Sequence, residues 1–228
     1  MLIIGLGHEA QHGKDTFADA VYAKYNGSLD IRLISFADAL RKETHDLARV
    51  LWEAKWGTIA PFDGHEAMRL LLRHFDKEEL FEEKPLVDAT YPYGKQRKFL
   101  QWYGTDYRRA EFGDDYWIRR ADDRVEQYRA EGTHAVIFRD MRFDNEYEYV
   151  GSKGGYRIKV KRLNFDNGVP KHESETALAN HPFDLQLHVS DGMLDILLAM
   201  APAMFAAIYR RELDKEATPE AWKVLVEC

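Results

Sequence analysis

The chain has 228 residues, 45% hydrophobic and 31% charged, with 32 basic against 39 acidic side chains and a formal charge of −7. That length suits one compact domain with room for an insertion, and it makes a repeat array, a short disulfide scaffold or a disordered chain a poor reading. The acidic balance argues against a duplex-binding basic module while leaving a local phosphate pocket open, and the single Cys228 leaves no partner for a disulfide, a structural zinc or a thiol catalyst, which points to reducing cytoplasm.

Leu2-Ile3-Ile4 is an apolar run that breaks into Gly5-Leu6-Gly7, the pattern of a buried parallel strand entering a tight loop. It is too short for a signal segment, and the richest later stretch, 193–208, is shorter than a membrane span. From Asp15 to Tyr25, Phe17, Ala20, Val21 and Lys24 recur at helical spacing, and Asn26-Gly27 closes the run. Ile31 to Phe36 reads as a second strand, followed by an amphipathic helix through 39–54. Two more helices are expected at 66–76 and 97–103, separated by a polar loop with Pro85, Pro92 and Gly94, so the middle of the chain reads as an insertion. Trp117, Ala121, Val125 and Tyr128 lie on one face of a helix from Asp114 to Glu131. Ala135 to Phe138 is a further central strand, ending in Arg139-Asp140, with a short helix after it. Tyr156 to Val160 and Leu185 to Val189 read as strands, with a polar, lid-like segment at 163–182 between them. Asp191 to Arg211 is helical with Pro202 kinking or splitting it, and Thr218-Pro219-Glu220 starts a last short helix.

The strongest chemical signal is His8-Glu9-Ala10-Gln11-His12-Gly13-Lys14-Asp15-Thr16, placed between a strand and a helix as a Walker A phosphate loop must be. Such a loop wraps phosphates with backbone N–H groups at the positive end of a helix and brings the lysine ammonium onto the β and γ oxygens. His8 stands where the first glycine is expected, and Asp15 where a hydroxyl usually meets Mg²⁺. Asp15 therefore reads as a metal ligand, direct or through water, and Thr16 as a partner of an α-phosphate. The alternative is a plain strand-to-helix turn with a capping Asp. Asp140, closing its strand on the same edge as the loop, is either a Walker B-like carboxylate for the metal or an N-cap for the helix at 144–146. The 9 histidines show no metal-ligand spacing.

Four segments carry a resemblance to the deoxynucleoside monophosphate kinases of tailed bacteriophages. They are GHEAQHGKDT at 7–16 with SFADALRKE at 35–43, FLQWYGTDYRR at 99–109 with DDYWI at 114–118, RDMRFDNEYE at 139–148, and HESETAL at 172–178. The resemblance implies a P-loop kinase: an α/β three-layer fold with a parallel sheet flanked by helices, a helical acceptor-binding region at about 37–131 and a short lid, all within one domain at 1–228. It implies ATP as donor, Mg²⁺ as cofactor and a nucleoside monophosphate as acceptor. It places the Asp140-x-Arg142 motif in the active site, with Lys14, Arg142 and Asp140 catalytic and Asn145 and Glu146 on the acceptor, matches Arg109 to a family arginine, and gives Lys171, His172, Ser174 and Glu175 to the lid.

Phosphoryl transfer needs cations around both phosphates. Arg142 sits two residues beyond the strand-ending Asp140 and is assigned the acceptor phosphate, whereas Arg108 and Arg119 equally suit surface ion pairs. A nucleobase needs a π-face, for which Trp102 and Trp117 are the candidates, with Phe36 and Asp38 at the acceptor wall. Lys159, Lys161, Arg162 and Lys171 flank the lid, and a solvated basic face is their plainer reading. Expected partners are ATP and a nucleoside monophosphate, with no stable duplex-DNA binding, no membrane contact and a homodimer left open. The location is cytoplasmic, in the host if phage-encoded. Two other functions remain at this point: a P-loop kinase for a modified base or hydroxymethyl group in DNA or another small alcohol, and an ATP-hydrolysing switch or motor.

Overall fold

The computed structural model describes residues 1–7, 11–44, 46, 100, 102–165 and 177–216. They fall into two units, 1–36 with 120–228 and 37–119.

In the first unit the apolar runs become five parallel strands: β1 (Leu2–Gly7), β2 (Ile31–Ile34), β3 (Ala135–Met141), β4 (Tyr156–Leu163) and β5 (Leu185–Ser190). Their order is β2-β3-β1-β4-β5. Parallel pairing puts every strand's C-terminal end, and so every following loop, on one edge of the sheet. Ile4 faces Ile137 on β3 and Tyr156 on β4, while Gly7 faces Met141, which brings the end of β3 beside the start of the phosphate loop.

Both faces of the sheet are covered, so strand residues of both parities are apolar. Leu2, Ile4, Leu6, Ile137, Ile158, Val160 and Leu187 form one core with Phe17 and Val21 of α1 (Lys14–Tyr25) and Leu197, Ala201 and Phe205 of the long C-terminal helix. Each such side chain, fully buried, contributes about 1.5–3 kcal/mol. On the other parity Phe138 stacks on Phe36 with centroids 4.1 Å apart, and both meet Tyr149 edge-on. Tyr149 lies on α3 (Asp144–Ser152), whose neighbour α2 (Tyr116–Ala130) receives its hydroxyl proton at Asp122. A five-stranded parallel sheet between helical layers is the α/β arrangement of a P-loop kinase.

Several boundaries differ from the sequence expectation. β1 does not break at Gly5 but runs on through Gly7, because these glycines serve close packing. A Cβ on Gly5 would sit 2.8 Å from Met141 Sδ, and one on Gly7 2.6 Å from Phe183 Cε1. β2 stops at Ile34, since Ser35 and Phe36 leave the ladder to bond Asp140. β3 continues past its polar residues to Met141, and β4 and β5 extend to Leu163 and Ser190. Pro202 does not split the last helix: α4 runs from Leu194 to Glu216 with Pro202 inside. The lost N–H is outweighed by packing of Leu197, Ala201, Phe205 and Ile208, and the Pro202 carbonyl accepts the Tyr25 hydroxyl at 3.3 Å.

The second unit is helical from 38 to 44, then carries a π-helix over Trp102–Arg109 where the sequence suggested a helix ending at Tyr103. Glu43 organises it. Its carboxylate accepts the Tyr103 hydroxyl at 3.0 Å, Arg108 Nε at 2.9 Å and the Tyr116 hydroxyl at 2.9 Å. Of the helix expected at 39–54, residues 45 and 47–54 lie outside the described residues, as do the helix expected at 66–76 and the one beginning at 218.

Candidate functional site

α1 opens at Lys14, directly after Gly13, whose φ of 97° turns the chain into the helix. Gly13 caps through its carbonyl, which accepts the Phe17 N–H at 2.8 Å. A Cβ there would lie 2.7 Å from Leu197 Cδ2. Lys14 is only 6% exposed, an unusual setting for an ammonium, and it sits in the first helical turn where free N–H groups make an anion site. Gln11 also holds a positive φ of 62°, and His12 beside it is 5% exposed. Thr16 is half-buried on the same turn of α1. His8, Glu9 and Ala10 lie outside the described residues.

Gly13→Ala is expected to cost about 1–3 kcal/mol in backbone strain. It also forces Leu197 aside, so the thermal midpoint falls. A variant of unchanged Tm would show that neither the positive φ nor the close approach matters.

Asp15, read from the sequence as a metal ligand, is held by an ion pair. Its side chain is 78% exposed and pairs with Arg139 Nε at 3.0 Å, and Arg139 also reaches Asp19 at 3.0 Å. Asp140, the next residue on β3, is held from the end of β2: one oxygen accepts the Phe36 N–H at 3.0 Å and the other the Ser35 hydroxyl. Of the two roles that spacing left open for Asp140, the helix cap is excluded. The N-cap of α3 is Phe143, which has no side-chain acceptor, and the capping is done by Glu146. The Glu146 carboxylate, buried at the first turn, accepts the N–H of Arg142 at 2.6 Å and of Phe143 at 3.2 Å. This pins the short link in which Arg142 sits. Among the described residues no carboxylate pairs with the Arg142 guanidinium. Asn145 is half-buried on the first turn of α3.

Arg162 is the residue that the sequence reading undervalued. It lies near the end of β4, yet its backbone N–H donates to His12 Nδ1 at 3.0 Å and its guanidinium to the Gln11 carbonyl at 3.2 Å. The same group pairs with Asp191 after β5, holding that carboxyl below the usual carboxylate range, and lies 3.8 Å from the Phe165 ring centroid. The other end of the expected lid is tied down as well. Tyr147 donates to the Pro182 carbonyl, and Arg157 binds Asp184 at 2.9 Å while lying over the Tyr147 ring, which holds the Asp184 carboxyl low. Lys171, His172, Ser174 and Glu175 lie outside the described residues.

In the second unit the two candidate tryptophans, Trp102 and Trp117, are buried. Trp102 stacks on Tyr107, with ring planes 9° apart, and Trp117 Nε1 donates to the Gly104 carbonyl at 3.0 Å. Arg108 is consumed by Glu43 and by the faces of Tyr103, Tyr107, Phe112 and Tyr116, all within 5.4 Å. Burial and the Glu43 charge push the Tyr103 hydroxyl well above its ordinary range, so it stays a donor. Half-buried Arg109 is the last residue of the π-helix, an element frequent at functional sites. Asp38 pairs with Arg41 at 3.2 Å. Phe36 is 2% exposed with its ring in the sheet core, so what it presents to the site is its backbone N–H.

Among the described residues no cluster of three or more His, Cys, Asp or Glu could hold a metal unaided, and no helix is long and apolar enough to cross a membrane. The sequence model of the deoxynucleotide monophosphate kinase family matches residues 75–200, more than half of the chain. The chain belongs to this family. No curated protein matches it. As a deoxynucleotide monophosphate kinase it is a phosphotransferase, which sets aside the switch or motor reading. The match spans the π-helix, Asp140, Arg142 and the lid segment, but not the phosphate loop, which rests on its own residues and geometry.

Proposed function

We propose that this kinase transfers the γ-phosphoryl group of ATP to a deoxynucleoside 5′-monophosphate, with Mg²⁺, supplying diphosphates for DNA synthesis in a phage-infected cell. The observation that carries the donor assignment is Lys14, buried at the head of α1 beside a left-handed Gly13. An acceptor phosphate oxygen forms the new bond to the γ-phosphorus as the bond to the β–γ bridging oxygen breaks, leaving ADP and a deoxynucleoside diphosphate. Charge on the transferring group is what the protein must stabilise.

Lys14 holds the β and γ oxygens, with the N–H groups of 8–16 around the phosphates. Arg142, on the link that Glu146 braces, takes the acceptor phosphate. Asp140 is the better of the two carboxylates for the metal, because Asp15 is engaged by Arg139. Mg²⁺ sites on nucleotides use one or two carboxylates plus phosphate oxygens and water, so a lone Asp140 fits the ion. When bound, Mg²⁺ would be held by Asp140 and would supply positive charge to the phosphates. Arg109 and one of Trp102 and Trp117 serve the acceptor nucleoside, and the segment from 171 to 175 serves as lid.

A panel of ribo-, deoxyribo- and base-modified monophosphates with ATP and Mg²⁺ tests this directly. Diphosphate formation from deoxyribonucleotides is expected. In the same assay Arg142→Ala lowers kcat/KM for the acceptor about 10- to 100-fold, the worth of charge-assisted hydrogen bonds, and leaves the KM for ATP nearly unchanged. Loss of ATP affinity instead would move Arg142 to the donor side. Phosphate gained by modified DNA with no monophosphate converted would overturn the acceptor assignment.

A further inference from the structure

The phosphate loop contains an uncommon backbone state for which β4 supplies a clamp. Gln11 sits at φ 62°, where a residue with a side chain is rarely found. Its carbonyl accepts from Arg162 Nη1 at 3.2 Å, and the next residue, His12, accepts the Arg162 N–H at Nδ1 at 3.0 Å. Two consecutive loop residues are thus bound by the backbone and side chain of one residue. The guanidinium is itself fixed, by Asp191 on one side and the Phe165 face on the other, and His12 meets Phe165 edge-on at 5.5 Å. The C=O and N–H of a planar trans peptide point in opposite directions. Drawing the Gln11 carbonyl toward Arg162 therefore aims the His12 N–H to the opposite side.

We propose that Arg162 is a positioning residue for phosphoryl transfer: it holds the Gln11–His12 peptide so that the loop's N–H groups are already turned toward the donor phosphates before ATP arrives. The inference rests on the donor reading of the phosphate loop. Arg162 acts through the loop rather than on the nucleotide, which separates it from Lys14. Its fork is what the task needs. One guanidinium binds the Gln11 carbonyl and Asp191 together, a geometry that a single ammonium does not span. Preorganised donors are also the ones that assist the transition state without reorganising.

The test uses the wild-type chain, Arg162→Ala, Arg162→Lys, and Arg162→Ala combined with Gln11→Gly. Each is read by calorimetric ATP binding, by KM for ATP and for the acceptor, by kcat, and by thermal midpoint. Arg162→Ala is expected to weaken ATP binding about tenfold while the acceptor KM stays within about twofold. Arg162→Lys falls between it and the wild type. Adding Gln11→Gly restores most of the loss, because glycine takes a positive φ without a clamp. Should Arg162→Ala not fold, Arg162→Lys with and without Gln11→Gly decides in the same way. Full ATP affinity in a folded Arg162→Ala overturns the proposal. So does a loss that Gln11→Gly leaves untouched, which would mean that the arginine contacts the nucleotide itself. A wild-type chain that transfers no phosphate from ATP and does not bind it overturns the donor reading and this inference with it.

Discussion

Lys14→Ala abolishes phosphoryl transfer while the fold persists. The ammonium sits in the first turn of α1, nearly buried, and under the proposed donor assignment it neutralises charge spread over the β and γ oxygens in the transition state. Removing one preorganised electrostatic partner of this kind costs about 10²–10³-fold in rate, and a lysine that also positions the donor costs at least as much. The apolar face of α1, Phe17, Ala18 and Val21, is untouched, so the circular dichroism and cooperative melting of the variant should match the wild type. Near-wild-type turnover in the folded variant would falsify the donor assignment.

Asp140 answers to two substitutions that separate its roles. In Asp140→Ala the Phe36 N–H and the Ser35 hydroxyl both lose their acceptor. An unsatisfied buried donor costs about 1–3 kcal/mol, so this variant melts earlier as well as losing activity. Asp140→Asn keeps an oxygen for the Phe36 N–H but removes the negative charge. Its melting should stay close to wild type while turnover falls about 10²-fold and the Mg²⁺ requirement shifts to higher concentration. If Asp140→Asn retains both turnover and apparent Mg²⁺ affinity, the carboxylate only fastens the end of β2 to β3, and the metal assignment fails.

The parallel sheet was legible because its strands are buried on both faces. Leu2-Ile3-Ile4 and Ala135 to Phe138 are continuous apolar runs, and a surface strand would alternate. Helix α1 was legible for the complementary reason: Phe17 and Val21 repeat at its period, and Asn26-Gly27 ends it. The proposed donor half of the site rests on one contiguous stretch, Gly13-Lys14-Asp15-Thr16, because a phosphate loop is built from neighbouring backbone atoms. The glycines of β1 were read as a turn, since nothing local separates a glycine needed for positive φ from one needed for room; at Gly5 and Gly7 the reason is Met141 and Phe183.

What distant segments settle together was not legible. Asp140 could be a metal ligand or a cap by spacing; the cap falls because Glu146 caps the helix at Phe143, and Asp140 instead bonds Ser35 and Phe36, over a hundred positions earlier. Arg162 looked like one more cation on a solvated strand, because its partners Gln11, His12 and Asp191 are remote in sequence. Arg108 and Arg109 are adjacent and identical in type, and the Glu43 carboxylate distinguishes them by taking the first. The amino-acid sequence by itself determined the strands and the first helix, since these follow from periodicity and from chemistry between neighbours. Only the tertiary structure decided which charges are spent on holding the fold, because an ion pair or a buried hydrogen bond depends on distance in space and leaves no periodic mark along the chain.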